Sequence, residues 1–164
     1  MRPQPITPKP GQESVWDYPR PPRLEDAGVH IVIRLAGTVV AETDDALRVL
    51  ETSHPPTYYL PEDAFAPNAL VPADGASMCE WKGRAAYADV RALGHTVPRA
   101  AWTYPTPNPG FERLVRHWAV MPGAPLHCTV DGEEVVPQEG GFYGGWITSN
   151  VVGPFKGGPG TMGW

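Results

Sequence analysis

Proline and glycine break this chain so often that no long helix can run through it. There are 21 Pro and 18 Gly in 164 residues, close to a quarter of the chain, against an average nearer ~12%. Proline removes a backbone donor and clashes with the preceding helical turn, and glycine loses the most conformational entropy when fixed in a helix. The short apolar runs left between the breaks read as strands joined by turns. Six Trp, six Tyr and many Val, Leu and Ile separate the chain from the aromatic-poor composition of disorder. At this length one domain is expected, burying roughly two thirds of its unfolded surface.

Net charge narrows the function classes. At −5, with no run of Lys or Arg, the chain lacks the basic footprint of a nucleic-acid binder. No apolar stretch approaches the ~20 residues that span a bilayer. Residues 1–11 carry no apolar core of a signal peptide, so a cytoplasmic location is expected. Cys79 and Cys128 are then expected as free thiols in a reducing compartment.

Three regions follow from composition. Residues 1–23 form a Pro-rich arm, extended or PPII-like, either anchored by Trp16 and Tyr18 or mobile up to about residue 12. Residues 24–152 form the domain, and residues 153–164 a Gly- and Pro-rich strap packed on it. Two hairpins stand out. Val29 to Leu35 turns at Ala36-Gly37 into Thr38 to Ala41, and His127 to Val130 turns at Asp131-Gly132 into Glu133 to Pro137. Their likeness suggests two related β halves. Further short strands are expected at 57–60, 77–81, 85–90 and 100–104. Residues 44–50 read equally as a helical turn or a strand, and a single turn is expected after Pro61. One short helix is expected near 109–117: Asn108 caps it, Pro109 opens it, and Phe111, Leu114, Val115 and Trp118 recur at helical spacing.

Several spaced motifs carry a resemblance to a known family. They are Tyr18-Pro19-Arg20-Pro21-Pro22, Val39-Val40-Ala41, Glu51, Tyr58-Tyr59-Leu60-Pro61, Cys79-x-x-Lys82-Gly83-x-Ala85-x-Tyr87 and Ala101-Trp102-x-Tyr104-Pro105-x-Pro107. Gly141-Phe142-Tyr143-Gly144-Gly145-Trp146 and Gly153-Pro154-Phe155-Lys156-Gly157 complete the set. In these the chain, from about Tyr18 to Trp164, resembles a bacterial domain-of-unknown-function family, number 427, sometimes labelled nucleotidyltransferase-like. The resemblance implies a mainly β, β-tent fold: two small antiparallel sheets leaning together over a cleft. Members of the wider β-tent group often hold zinc through two Cys-x-x-Cys knuckles, and this chain has neither.

The residues themselves give little chemistry outright. Zinc needs four ligands, but His127 and Cys128 are adjacent and point to opposite faces of a strand, so neither metal nor cofactor is expected. No Gly-x-x-x-x-Gly-Lys-Ser/Thr loop exists to support a transferase label. The string Gly158-x-Gly160-x-x-Gly163 has no strand before it and no helix after it, so it is accidental. Cys79 as a nucleophile would need a base, with His54 the candidate. Read as a strand, residues 78–82 put Cys79 and Trp81 on one face and Glu80 and Lys82 on the other. Cys79 then reads more simply as a small buried residue.

The aromatic residues are the stronger signal, since Tyr and Trp suit the walls of a cleft. The leading expectation is a small polar or anionic molecule bound in an aromatic cleft between the sheets. Arg48 and Lys82 would hold the anion, Glu51 would accept a hydrogen bond, and Tyr59, Trp81, Trp102 and Tyr104 would hold the ligand's body. An enzyme of transferase or hydrolase type, using Glu51 or Cys79 with Lys82 as a further catalytic candidate, is the second reading. A scaffold or homodimerising module presenting the Pro-rich arm is the third.

Overall fold

Where the sequence alternates apolar and polar residues the chain is extended, and where an x-Gly pair intervenes it reverses. The computed structural model describes residues 2–164, and Met1 of the expected arm lies outside them. The first strands are β1 (Glu13–Ser14), β2 (Arg23–Asp26), β3 (Ile31–Leu35), β4 (Thr38–Thr43), β5 (Leu47–Leu50) and β6 (Thr57–Pro61). Long strands follow: β7 (Leu70–Cys79), β8 (Gly83–Ala92) and β9 (His95–Thr103). The rest are β10 (His117–Val120), β11 (Leu126–Val130), β12 (Glu133–Glu134), β13 (Val136–Pro137), β14 (Trp146–Ile147) and β15 (Val151–Val152). Among the described residues helical structure is confined to three short 3-10 turns, so the chain is mainly β, as its punctuation dictates.

A seven-stranded antiparallel sheet runs β2-β5-β6-β10-β9-β8-β7, and a four-stranded one runs β12-β11-β3-β4. The two hairpins read from the sequence are neighbours in the small sheet, joined through the β3–β11 pairing. Their turns, Ala36-Gly37 and Asp131-Gly132, have positive φ at both positions, the geometry that matches the twist of paired strands. Leu93-Gly94 repeats it between β8 and β9. Of the ambiguous residues 44–50, Leu47–Leu50 are strand β5, and Pro61 does open one 3-10 turn, Glu62–Ala64.

The main core fills the space between the two sheets. Ile31, Ile33, Leu35, Leu126, Cys128 and Val130 face it from the small sheet, and Tyr58, Leu60, Val90, Ala101 and Val120 from the large one. Burial pushes the Cys128 thiol up to about 12, which makes it an inert core residue. Trp146 closes this core: it is 1% exposed, its indole N–H donates to the Val120 carbonyl at 3.0 Å, and its ring lies 5.3 Å from that of Tyr58. A second core of Leu47, Val49, Tyr59, Phe111, Leu114 and Ala119 lies on the opposite face of the large sheet.

The helix expected over 109–117 is absent. Only Glu112–Leu114 turns, Val115 is extended, and Arg116 has φ 57°. The apolar spacing is real, since Phe111 and Leu114 are buried in the second core. But His117–Val120 is taken by β10, which pairs with both β6 and β9 in the middle of the sheet. A helix of this length gains little by itself, and carried through His117 it would break that residue's pairing with Pro61 at the β6–β10 junction. Asn108 instead secures the neighbouring β7–β8 turn, its N–H donating to the Lys82 carbonyl and its side-chain amide to that of Trp81.

The described part of the arm is packed. Ser14 caps a 3-10 turn at Val15–Asp17, and Val15, Trp16 and Tyr18 form a third core with Leu50 and Val151. β1 runs parallel to β15, and the Ile6 N–H donates to the Gly153 carbonyl. Arg48 clamps the arm to the sheet. Its guanidinium donates twice to Glu13, at 2.8 and 3.1 Å, and once to Glu25, at 2.9 Å. The Arg48 hydrogen bonds hold the Glu13 carboxyl below the ordinary range against the opposing effect of burial. Burial also pushes Glu25 upward, but hydrogen bonds from Arg48 and Arg23 outweigh it and leave its carboxyl lowered. A depressed carboxylate contributes stability above its unfolded value, near ~4.3, and that contribution is lost as pH falls through the folded value. Urea unfolding followed from pH 7 to pH 2 should therefore show stability declining below about pH 4. A flat profile through that range would contradict the clamp.

Candidate functional site

Alternation along β6 sends adjacent tyrosines to opposite sides of the large sheet. Tyr58 enters the core between the sheets, and Tyr59 enters the second core. Beside Tyr59, on that outer face, opens a cleft of about 340 Å³. The position differs from the expected one: the gap between the sheets is filled by the main core, because Ile, Val and Leu from both sheets interdigitate there. The cleft is instead walled by the outer face of the large sheet, the loop after β5 and the segment that follows β13.

Of the residues singled out in the sequence, Glu51, Tyr59, Cys79, Lys82, Trp102 and Tyr104 meet in this cleft. Arg48 does not. It is opposite Tyr58 in the strand pairing, so it shares that face, and Glu13 and Glu25 occupy its donors. Trp81 does not line the cleft either; it packs on the second core. Glu80-Trp81-Lys82 is the turn joining β7 to β8 and not a strand, so the period-two separation of Cys79 from Lys82 fails. Gly83, with φ 111°, closes that turn, and both Cys79 and Lys82 reach the cleft.

Three cations surround the space, each over a ring. Lys82 Nζ lies 5.7 Å from the Tyr104 centroid, Lys156 Nζ 5.5 Å from that of Tyr143, and the Arg99 guanidinium 4.5 Å from that of Tyr87. Among the described residues none of the three is ion-paired with a side-chain carboxylate. Lys156 also donates to the main-chain oxygen of Trp164 at 3.3 Å. Among the described residues Glu51 is the one side-chain carboxylate lining the cleft; it sits 3.3 Å from Arg20 Nε and 3.7 Å from His54 Nε2. Arg99 was not legible in the sequence. It follows Pro98 at φ 50°, with no pattern to distinguish it from a surface arginine.

The segment after β13 closes one wall. The Gln138 N–H donates to the Gly145 carbonyl, and the Gly145 N–H donates to Gln138 Oε1. The loop between them carries Phe142 and Tyr143 over the cleft. Gly144, at φ 74°, lies against the Trp102 ring, where any Cβ would overlap the indole. Gly140 and Gly157 approach so closely that a Cβ on either would strike the other strand's backbone. These glycines are the signal the sequence offered for a close backbone crossing.

His54 is not a base for Cys79. Its Nδ1 meets Gln138 Nε2 at 3.1 Å and its Nε2 faces Glu51, so both ring nitrogens are directed elsewhere. Burial first, then the nearby Lys156, Arg20 and Lys82, lower its pKa to about 4, which leaves the ring neutral at pH 7. Burial likewise raises the hydroxyls of Tyr59 and Tyr104 far above neutrality, so both rings are apolar walls with a protonated tip. Among the described residues no three His, Cys, Asp or Glu side chains gather as a metal ion requires.

Residues 23–135, well over half of the chain, match the model of a family described as "Domain of unknown function (DUF427)". The chain belongs to the DUF427 family. A search of curated proteins returned no match. The matched stretch supplies most of the DUF427 cleft: Glu51, His54, Tyr59, Cys79, Lys82, Arg99, Trp102 and Tyr104 all fall within it. Phe142, Tyr143 and Lys156 come from the segment beyond it. No described helix is long and apolar enough to cross a membrane.

Proposed function

We propose that the cleft binds a small anion with a flat apolar body. One observation carries the reading: three cations without side-chain carboxylate partners among the described residues converge on one aromatic-walled space, in a chain of net charge −5. Positive charge gathered against the sign of the whole molecule is suited to attracting an anion. The rings of Tyr59, Tyr87, Trp102 and Tyr104 offer apolar area at low entropic cost. Cation–π contacts with Tyr87, Tyr104 and Tyr143 hold the ammonium and guanidinium groups in place without neutralising them.

The test is a thermal-shift screen of small anions: benzoates, inorganic phosphate, sugar phosphates and nucleoside monophosphates. A specific ligand at ~100 times its Kd stabilises by ~2.7 kcal/mol. Lys82→Met should abolish such a hit, Cys79→Ser should leave it in place, and added salt should weaken it. The reading fails if no anion shifts the transition, or if a hit survives Lys82→Met and Lys156→Met combined.

A further inference from the structure

The Gln138 side chain is fixed end for end by its partners. Its Oε1 accepts the Gly145 N–H at 3.1 Å, so the opposite atom is the amide nitrogen. That nitrogen has two hydrogens. One goes to the Lys156 carbonyl at 2.7 Å and the other to His54 Nδ1 at 3.1 Å. An Nδ1 that accepts carries no proton, and a neutral imidazole must then carry its proton on Nε2. The ring is held from a second side by the edge of Tyr143, with centroids 4.8 Å apart.

His54 Nε2–H thus faces Glu51 Oε2 across 3.7 Å. That is too far for a direct hydrogen bond and short enough for one oxygen, ~2.8 Å from each, to bridge the two atoms. A hydroxyl, of a ligand or of water, both accepts from Nε2–H and donates to a carboxylate. An anionic oxygen cannot donate, and an apolar atom can do neither. Arg20, 3.3 Å from Glu51, places a positive charge beside that acceptor. Both members of the pair line the same cavity as Lys82, Lys156 and Arg99.

We infer that Gln138 is a positioning residue that presents His54 Nε2–H beside Glu51 as a hydroxyl-recognition pair, so that the anion taken by the cleft is a hydroxylated one. This rests on the anion-binding reading above and narrows it: the charge is met by the cations, the flat body by the rings, and the hydroxyl by His54 and Glu51. Hydroxyaromatic carboxylates carry all three features, and sugar phosphates carry the charge and the hydroxyl.

Two measurements test the inference. The first uses the full chain without ligand. Nitrogen-15 NMR of the histidines should show His54 as the Nε2–H tautomer alone, neutral throughout the range from pH 5 to pH 9. The groups facing it are Glu51, Lys156, Arg20, Lys82 and Gln138, and the Gln138 amide sets the tautomer. Gln138→Glu replaces that donor by an acceptor, so the tautomer should switch to Nδ1–H and the titration should move up by at least a unit. A wild-type His54 that titrates near its ordinary value as a tautomer mixture overturns the inference.

The second measurement compares matched ligands by calorimetry: 3-hydroxybenzoate against benzoate, and glycerol 3-phosphate against propyl phosphate. In one arm the hydroxylated member should bind at least tenfold more tightly, and the arm that shows it tells an aromatic from a sugar-like body. His54→Phe keeps a ring against Tyr143 but removes the donor, and should bring that ratio close to one. Equal affinity within both pairs, or a preference that persists in His54→Phe, overturns the hydroxyl pair while leaving anion binding intact. No binding by any of the four, with no stabilising anion in the wider screen, removes both readings together.

Discussion

Trp146→Ala should destabilise the protein by about 3–5 kcal/mol, the range for emptying a buried aromatic site. The residue is 1% exposed and packs on Tyr58. Its backbone N–H donates to the Pro56 carbonyl and its indole N–H to the Val120 carbonyl. Truncation opens a cavity at the seam between the main core and the segment that walls the cleft. For a chain of this size each kcal/mol moves Tm by ~2–4 °C, so a fall of roughly 6–20 °C is expected. Trp146→Phe keeps most of the apolar area and strands only the Val120 carbonyl, which costs about 1–3 kcal/mol. Urea midpoints for the two variants, at unchanged slope, check this order. Equal losses in both would mean that the hydrogen bond, and not the filled volume, dominates at this site.

Arg48→Met should cost about 2–3 kcal/mol at neutral pH, somewhat below the ~3–5 kcal/mol of breaking a fully buried pair. The discount follows from exposure: the Arg48 side chain is 14% exposed, but those of Glu13 and Glu25 are 39% and 32%. The substitution keeps most of the aliphatic stem, strips Glu13 of its cation and leaves Glu25 with Arg23 as its remaining one. Because the remaining penalty comes from their charge, it should shrink as they protonate. Wild type and variant should therefore differ by much less at pH 3 than at pH 7, as judged by urea unfolding at both. An equal gap at the two pH values would assign the loss to packing alone.

What the sequence disclosed follows from how locally each feature is encoded. Asp131-Gly132 and Ala36-Gly37 are two-residue instructions, and both turned where expected. Leu93-Gly94 makes the same turn, yet Leu in place of Asn or Asp hides it. β7 was legible only at its end, because Pro72 and Asp74-Gly75 interrupt its pattern. As an edge strand it tolerates them, with its register shifted between Ala73 and Ala76. The missing helix is the opposite case: the apolar spacing of Phe111 and Leu114 is satisfied by a single turn, and sheet pairing decides the rest. In the site, Lys82 and the aromatic rings were found from the company they keep along the chain. Gln138 and Arg99 owe their place to long-range folding and carry no local mark. Arg48 misled, because a cation near Glu51 in sequence is one strand face away from it in space.

The placement of Tyr58 and Tyr59 on opposite sides of β6 separates two selective pressures on one sheet. The face toward the small sheet must stay filled for the chain to fold at all. The cleft side can exchange a lysine, an arginine or a ring without opening a void between the sheets. A scaffold arranged in this way is evolvable: its recognition chemistry can drift while its foldability is held constant. Because β6 serves both sides at once, the one change it cannot absorb is a slip of a single residue, which would carry each tyrosine into the other's place.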